Sequence, residues 1–370
     1  MMVRLLYLAL LGFALSEPAH AQEDTDGLQP TALLQVWGTL WDQDEDPQAD
    51  PAGYGDPEAD PGVSIRRARI GLEGRQGILD FQISVGTGAA PDVWFEDVPL
   101  IGVVDALGGI TLDAGPGDLR IAAGTQKVPV SRELLISSSE LLFQERTVAT
   151  NHLAPNREAG LIIDYDMDFG GRVVLGAFNG NANILGDNNW GLLTSARLEY
   201  AHGDAYRTFR HTREDAWGVG VSALYNDDVS TGEARVGADG LVRVGPITAL
   251  LEGSYSQLRP TNDTVAPPDV QNKTERIGAL IQVSGFVPLS RGGLEIAARG
   301  ELFDDARHLR DNGDLMLVFG GVSWRDPVPG LDLGLGYVHR EELAGRTISN
   351  DTVRLWTQVT WPRREQPPTE

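Results

Sequence analysis

Stretches in which apolar and polar side chains alternate recur along most of this chain. In residues 78–86, for example, Leu79 and Phe81 fall on one face, whereas Asp80 and Gln82 fall on the other. Because successive side chains of a β-strand point to opposite sides, each stretch predicts a strand with one apolar and one polar face. About sixteen such strands, joined by short turns and long loops, are typical of a transmembrane β-barrel with a water-filled lumen.

A soluble, exported β-sandwich would also show this alternation, so further features must decide between the two folds. The polar face carries Arg, Glu, Asp and Gly almost throughout, which suits a wet lumen. The strands are longer than the roughly five or six residues typical of soluble sheets. Aromatic residues stand at many apolar strand ends, as in an interfacial girdle; these are Trp41, Trp217, Tyr225, Tyr255, Trp324, Tyr337 and Trp361. We therefore predict an all-β fold, a transmembrane antiparallel β-barrel.

The beginning of the chain predicts export. Arg4 supplies a positive charge, and residues 5–15 form an apolar segment that is too short to span a bilayer as a helix. Residues 19–21 read Ala-His-Ala, which fits a signal-peptidase site. We expect residues 1–21 to be a signal peptide, so that the mature chain begins near Gln22.

The remaining sequence divides into three parts. Residues 22–32 form a short polar leader on the periplasmic side, residues 33–361 form the barrel, and residues 362–370 form a polar tail. The chain contains no cysteine, so a disulfide, a thiolate nucleophile and a Cys-ligated metal are excluded.

The net charge of the chain limits the kinds of partner that it can bind. The sequence has 53 acidic and 30 basic residues, a net charge of -23, and its only lysines are Lys127 and Lys273. Nucleic acid is therefore an unsuitable partner, since phosphate backbones bind positive surfaces. Residues 42–62 hold eight acids, four prolines and no base. Their spacing lacks the glycine turn and later Glu of an EF-hand loop, so we expect a solvated acidic loop whose carboxylates could bind divalent cations that bridge lipopolysaccharide.

Residues 119–160 depart from the acidic pattern of the chain. The segment begins as an apolar strand, breaks at Pro129 and then runs polar until the next strand pattern. It carries five basic residues against four acidic ones. We predict that residues 128–157, approximately, fold into the barrel as a loop that constricts the lumen.

Several motifs resemble the phosphate-selective porin O and P family. They are IRRARIGLEG (65–74), AAGTQKVPVSRELLISSSELLFQER (122–146), APNREAG (154–160), GLEIAARGEL (293–302) and VRLWTQVTW (353–361). The resemblance implies an outer-membrane barrel, usually a homotrimer, in which phosphate or polyphosphate passes a basic eyelet and a ladder of arginines. The best-known members line this path with many lysines, whereas this chain has two, so phosphate selectivity does not follow from the resemblance.

Candidate pore residues follow from the loop and from the face that each strand residue occupies. At the constriction, and in contact with anions, we expect Lys127, Arg132, Arg146 and Arg157. Along the pore wall, we expect Arg67, Arg69, Arg120, Arg235 and Arg299. Arginine suits oxyanions because its planar fork donates two parallel hydrogen bonds. The alternative is that these arginines pair with acids and pin the loop to the wall; Glu133, Glu140, Glu145 and Glu158 are near enough in sequence to do so.

The sequence thus predicts a porin of the bacterial outer membrane, a passive channel for small hydrophilic solutes and ions, with phosphate or other anions among them. A barrel enzyme is the rival class, because Ser137, Ser138 and Ser139 precede His152 and a Ser/His pair is conceivable. Neither a G-x-S-x-G elbow nor an H-E-x-x-H motif occurs, so we predict no enzyme, no metal site and no cofactor. A plugged structural or adhesive barrel is a third reading, and it predicts no conductance.

Overall fold

The computed structural model describes residues 27–42, 62–87, 94–95, 98–99, 101–180, 191–203, 205, 208–212, 214–228, 231–260, 273–347 and 351–362. The expected signal peptide, nearly all of the acidic loop and most of the C-terminal tail lie outside these residues. Among the described residues, no helix has the length and apolar character needed to cross a bilayer.

Sixteen antiparallel strands close into a barrel, in which β1 pairs with both β2 and β18. The strands are β1 (Gly27–Asp42), β2 (Gly62–Gln76), β3 (Leu79–Gly86), β4 (Trp94–Phe95), β5 (Val98–Pro99), β6 (Gly102–Asp113), β7 (Gly117–Lys127), β8 (Arg157–Met167), β9 (Gly171–Phe178), β10 (Leu193–His202), β11 (Ala216–Asp227), β12 (Thr231–Val244), β13 (Ile247–Pro260), β14 (Thr274–Pro288), β15 (Gly293–Asp304), β16 (Asp314–Arg325), β17 (Leu331–Glu342) and β18 (Thr352–Trp361). The short β4 and β5 pair only with each other among the described strands. The prediction of a barrel with about sixteen strands is confirmed.

Two strands differ from what the alternation indicates. β1 begins at Gly27 and so includes residues assigned to the leader. β6 lies in a stretch that the sequence pattern does not mark as a strand, because its period-two alternation is obscured. In the pairing of β6 with β3, the consecutive residues Ser84 and Val85 lie opposite Asp105 and Val103, so Val104 is an extra residue. Gly108 and Gly109 follow in the same strand. A β-bulge and glycines remove the alternation that marks a strand.

The two faces of the barrel have the expected character. Leu198, Val219 and Ile281 point outward and are more than half exposed, whereas the inward neighbours Arg197 and Gln282 are buried. An apolar outer band around a polar interior is the arrangement of a membrane-spanning barrel. Most turns at one end are short, as at Gly245-Pro246, and β1 begins and β18 ends there, so this end is the periplasmic one.

The segment between β7 and β8, residues 128–156, folds into the barrel, and we call it the constriction loop. It contains α1 (Arg132–Leu135), a 3-10 helix (Ser138–Glu140) and α2 (Val148–Leu153). Side chains cap both α-helices: Ser131 accepts from the Leu134 N–H, and Thr147 accepts from the Thr150 N–H. The loop crosses the lumen, since its carbonyl at Val130 accepts from Ser222 on β11 and its carbonyl at Ser139 accepts from Gln358 on β18.

A second segment also enters the lumen, from the periplasmic end. Residues 203–215 join β10 to β11, and we call their described part (203, 205, 208–212, 214 and 215) the inner connection. Ala205 and Phe209 of this part are buried. Phe209 packs with Ile136 and Leu141 of the constriction loop and with inward residues of β12–β15, such as Leu250. The alternation predicts a charged loop over residues 201–214, so this inward fold is a difference from the prediction.

The two inserted segments divide the barrel interior. On β10–β18, which we call the filled wall, most inward side chains are buried, including Arg243, Glu295 and Gln358. On β2, β3, β6 and β7, which we call the water-facing wall, most inward side chains, such as Gln82 and Ser84, keep contact with solvent. Among the described residues, the part of the lumen that these two segments leave uncovered therefore lies along the water-facing wall, and we call it the free part of the lumen.

Candidate pore constriction

Six basic side chains meet where the constriction loop leaves the water-facing wall, and we call them the basic cluster. They are Arg66, Arg67 and Arg69 of β2, Lys127 at the end of β7, Arg146 of the constriction loop and Arg157 at the start of β8. Five of the six are residues that the sequence predicts for the constriction or the wall. Strand pairing explains part of this grouping, because Lys127 and Arg157 lie directly opposite each other on β7 and β8.

Arg66 joins the cluster through a β-bulge. The register of β1 against β2 shifts between Gln35 and Val36, whose partners are Arg67 and Ile65, so Arg66 is the extra residue. A bulge re-aims a side chain that strict alternation would send to the opposite face. Strict alternation would place Arg66 toward lipid, where a charge is costly. That cost is the sequence signal that the Arg66 side chain points inward.

Two acids form ion pairs within the cluster. Glu145 pairs with Arg66, and Arg67 lies 3.2 Å from the same carboxylate. Asp105 of β6 pairs with Arg157 at 2.8 Å and also accepts a hydrogen bond from Ser84. Six basic groups against two paired acids leave the cluster with a net positive charge, in a chain whose net charge is -23. Sequence reasoning missed Asp105 because it lies on the obscured strand β6.

Lys127 and Arg146 are held by carbonyl oxygens. Lys127 Nζ donates to the Leu135 and Ile136 carbonyls at 3.0 and 2.9 Å. Arg146 donates to three carbonyls of the same turn, including that of Ile136, at 3.0–3.3 Å. The last carbonyls of a helix lack intrahelical partners, and a basic side chain satisfies them. Backbone carbonyls therefore fix both cations in place, while Asp105 attracts Lys127 and Glu133 attracts Arg146.

Arg69 is the least satisfied cation of the cluster. Its Nη1 donates to the Ser138 hydroxyl at 3.1 Å, and its buried Nε has no hydrogen-bond partner within the described part of the chain. Arg157 and Arg146 are close enough to repel it, whereas Asp105 attracts it. An arginine with unused donors beside other cations is a group that an anion would stabilise.

Arg146 and its neighbour Glu145 in the constriction loop stay charged at neutral pH. Burial lowers the pKa of Arg146 to about 10, with repulsion by Arg157 acting in the same direction and attraction by Glu133 opposing it. Burial acts to raise the pKa of Glu145, but the charges of Arg66 and Arg67 outweigh it and lower this pKa to about 2. Arg146 and Glu145 therefore keep their charges across the physiological pH range.

Arg132, a predicted constriction residue, lies away from the cluster. Its Nε donates to Asp239 of β12 at 2.6 Å, its Nη1 donates to the Ala205 carbonyl at 2.8 Å, and the side chain is 1% exposed. Arg197 shares the same carboxylate at 2.6 Å. This geometry matches the alternative in which an arginine pairs with an acid and holds the loop against the wall: Arg132 fixes the constriction loop to the filled wall.

The remaining predicted wall residues fall into two groups. Arg120 lies on the water-facing wall and pairs with Asp80 of β3. Arg299 and Arg235 lie on the filled wall. Arg299 pairs with Glu301 at 2.7 Å and lies under the Phe319 ring at 4.1 Å. Arg235 is 3% exposed, and its Nε and Nη1 find no partner in the described chain.

The serines near His152 serve the packing of the constriction loop. The Ser137 and Ser139 hydroxyls lie 2.9 Å apart, and Ser138 accepts from Arg69. The His152 ring lies 5.8 Å from the Phe303 ring, centroid to centroid. These contacts give no support to a Ser/His pair.

Comparison with known proteins identifies the fold. No family model matches the chain, and no curated protein matches it significantly. The anion-selective porin from Comamonas acidovorans superposes with a TM-score of 0.60 at 10% identity, over 91% of this chain and 100% of that one. The outer membrane channel DcaP of Acinetobacter baumannii gives 0.55 at 14% identity, over 90% and 96%.

A third solved structure, the trimer form of the in-vitro folded outer membrane protein OmpT of Vibrio cholerae, gives a TM-score of 0.60 at 12% identity, over 91% of this chain and 100% of that one. The chain has the fold of outer-membrane porins. A closed barrel of this fold with an apolar outer band belongs in the bacterial outer membrane.

Proposed function

We propose that the protein is an outer-membrane porin through which small hydrophilic solutes and ions diffuse passively, and that its path favours anions. The observation that carries this proposal is the basic cluster, in which six cations face two paired acids beside the free part of the lumen. A pore selects ions by the charges at its constriction and by its width. Phosphate and other oxyanions suit the cluster because arginine donors fit planar and tetrahedral oxyanions.

The path that we propose runs along the water-facing wall. A solute would pass between the constriction loop and the inward residues of β2, β3, β6 and β7, where Arg69, Lys127 and Arg157 are the nearest cations. Further toward the periplasm, Arg120 and Asp80 form an ion pair on the same wall. The described side chains of the filled wall take no part in this path, because two inserted segments cover them.

Assembly and lipid contacts complete the proposal. One of the superposed structures, OmpT of Vibrio cholerae, is a trimer form, and we propose that this protein is a homotrimer as well. The outward residues of the barrel would contact outer-membrane lipid, and the acidic residues 42–62 would contact lipopolysaccharide through divalent cations. Chemical crosslinking in native membranes tests the trimer, which would migrate at three times the mass of the monomer.

Reconstitution into planar bilayers tests the channel. In a KCl gradient, the reversal potential should show a preference for chloride, and phosphate should reduce the chloride current. Arg69→Gln should reduce this preference. Arg291→Gln, which removes the same charge from an exposed periplasmic turn, is the matched control and should behave as the wild type.

The outcomes separate the three readings of the chain. Cation selectivity without an effect of phosphate would overturn the anion part of the proposal. A folded barrel without conductance would favour a plugged structural barrel, a reading to which the filled wall lends weight. Hydrolysis of ester or peptide substrates by the purified barrel would point to the enzyme class instead.

A further inference from the structure

The inner connection occupies a place where porin-like barrels carry short turns. It lies between β10 and β11 at the periplasmic end, and its described residues pack inside the lumen. Ala205 and Phe209 are 0% and 1% exposed, so the segment is part of the interior. Its described residues lie beneath the constriction loop, on the side of the filled wall.

The inner connection holds the constriction loop by three kinds of contact. The Ala205 carbonyl accepts a hydrogen bond from Arg132 at 2.8 Å, and the Thr208 hydroxyl donates to Glu140 at 2.7 Å. Phe209 packs in the same apolar cluster as Ile136, Leu141 and Leu142, which lie on both sides of the 3-10 helix. The contacts therefore span the loop from α1 to the residues after the 3-10 helix.

The inner connection is itself anchored on several strands of the filled wall. Arg243 of β12 donates to the Thr208 carbonyl at 3.0 Å. Arg210 pairs with Asp332 of β17, and the His211 ring stacks on Phe286 of β14 with centroids 4.4 Å apart. Because its anchors reach from β12 to β17, the segment cannot move without breaking buried polar contacts.

The far edge of the constriction lies beside this support, and strand side chains also hold it; Arg299, for example, donates to the Glu145 carbonyl at 2.8 Å. The constriction loop is fixed at its start and end by β7 and β8, and its middle reaches across the lumen to β1 and β18. The residues that face the water-facing wall, among them Glu145 and Arg146, follow Leu142 by three and four positions. A shift of that apolar pair would move the basic cluster and change the width of the path.

We propose that the inner connection is a positioning element that sets the width and ion preference of the constriction without lining the path. This inference rests on the proposed channel function, and it assigns Thr208, Phe209 and Arg210 the role of positioning residues. Rigid packing in a protein interior transmits such a shift, because interiors are close-packed and contain few voids.

Single-channel recording of the full-length protein tests the proposal. Phe209→Ala should raise the conductance about twofold and weaken the chloride preference, because conduction depends steeply on the width of a narrow pore. Thr208→Val, which removes only the hydroxyl donor, should act in the same direction, and Thr208→Ser should restore the wild-type conductance. Leu251→Ala, an outward position on β13, is the control and should leave conductance and selectivity unchanged.

A measurement that needs no current keeps the inference separate from the channel function. Since the chain has no cysteine, a spin label at Asn151→Cys, an exposed residue of α2, reports the mobility of the constriction loop. Phe209→Ala should increase that mobility in barrels that remain folded by heat-modifiable gel migration. Normal current and an unchanged label in both Phe209→Ala and Thr208→Val would overturn the inference. A wild-type barrel that conducts no ions would overturn the channel proposal, and the label would still decide the role of the inner connection.

Discussion

The water-facing wall and the filled wall are built from strands with the same alternation, and both carry arginines and acids on their inward faces. On the filled wall, Arg299 and Glu301 are about 1% exposed and form an ion pair. On the water-facing wall, Arg120 and Asp80 also form a pair, but their side chains are 31% and 23% exposed. The difference lies in what packs against each wall. An inward arginine becomes part of a packed interior or part of a water-filled path according to the segment that covers it.

The difference between the two walls predicts the largest loss of stability when a charged side chain is removed from the filled wall. Arg299→Gln leaves Glu133 and Glu301 buried without their cation, so we expect a loss of about 3–5 kcal/mol in the free energy of unfolding. Arg120→Gln on the water-facing wall should cost below about 1 kcal/mol, because solvent screens its ion pair. Urea unfolding of the barrel in detergent, followed by tryptophan fluorescence, measures both variants. Equal losses would remove the distinction between the two walls.

Apolar side chains sharpen the same distinction. Phe209→Ala should destabilise the barrel by about 3–5 kcal/mol, since it leaves a cavity where the inner connection meets the constriction loop. Phe81→Ala, on the lipid-facing side of β3 and 39% exposed, should cost about 1–2 kcal/mol. The same unfolding assay compares them, and a smaller loss for Phe209→Ala than for Phe81→Ala would contradict the filled interior.

Much of this architecture could be predicted from the alternation alone. The barrel, its strand number and the inward face of residues such as Arg67 and Gln282 follow from a period of two. The constriction loop was visible as a break at Pro129 in an apolar pattern. These features are local, since each depends on residues that are near one another in sequence.

The environment of each arginine could not be predicted, because it depends on contacts between distant segments. The ion pair of Arg132 with Asp239 and the contact of Arg69 with Ser138 both require that the constriction loop crosses the lumen. The sequence predicts a charged loop at the inner connection, because Phe209 lies among polar and charged residues. The direction of Arg66 depends on a bulge, which a single sequence indicates only indirectly, through a charge that strict alternation would place toward lipid.

A smaller effect concerns the acids of the basic cluster. Glu145→Gln and Asp105→Asn each remove a negative charge that pairs with a cation. Each variant should raise the chloride-to-potassium permeability ratio by about fivefold, the factor that roughly 1 kcal/mol of added attraction produces. Glu341→Gln, at an exposed position near the C-terminal end of β17, is the control. Reversal potentials that stay unchanged in both cluster variants would show that the path avoids the cluster.

The smallest effect is expected within the filled wall itself. Arg235→Met should change the free energy of unfolding by less than about 1 kcal/mol, because burying an arginine with unsatisfied donors already costs free energy. Arg299→Gln in the same assay is the internal reference. A loss as large as that of Arg299→Gln would show that Arg235 compensates the buried acids around it.

Cysteine accessibility tests the central claim that solutes pass along the water-facing wall. The chain offers a matched pair of inward glutamines, Gln82 on β3 and Gln282 on β14, and it contains no native cysteine. A charged methanethiosulfonate reagent should react with Gln82→Cys and reduce the single-channel current, whereas Gln282→Cys, buried in the filled wall, should neither react nor lose current. Rapid reaction and block at Gln282→Cys, with none at Gln82→Cys, would contradict the account.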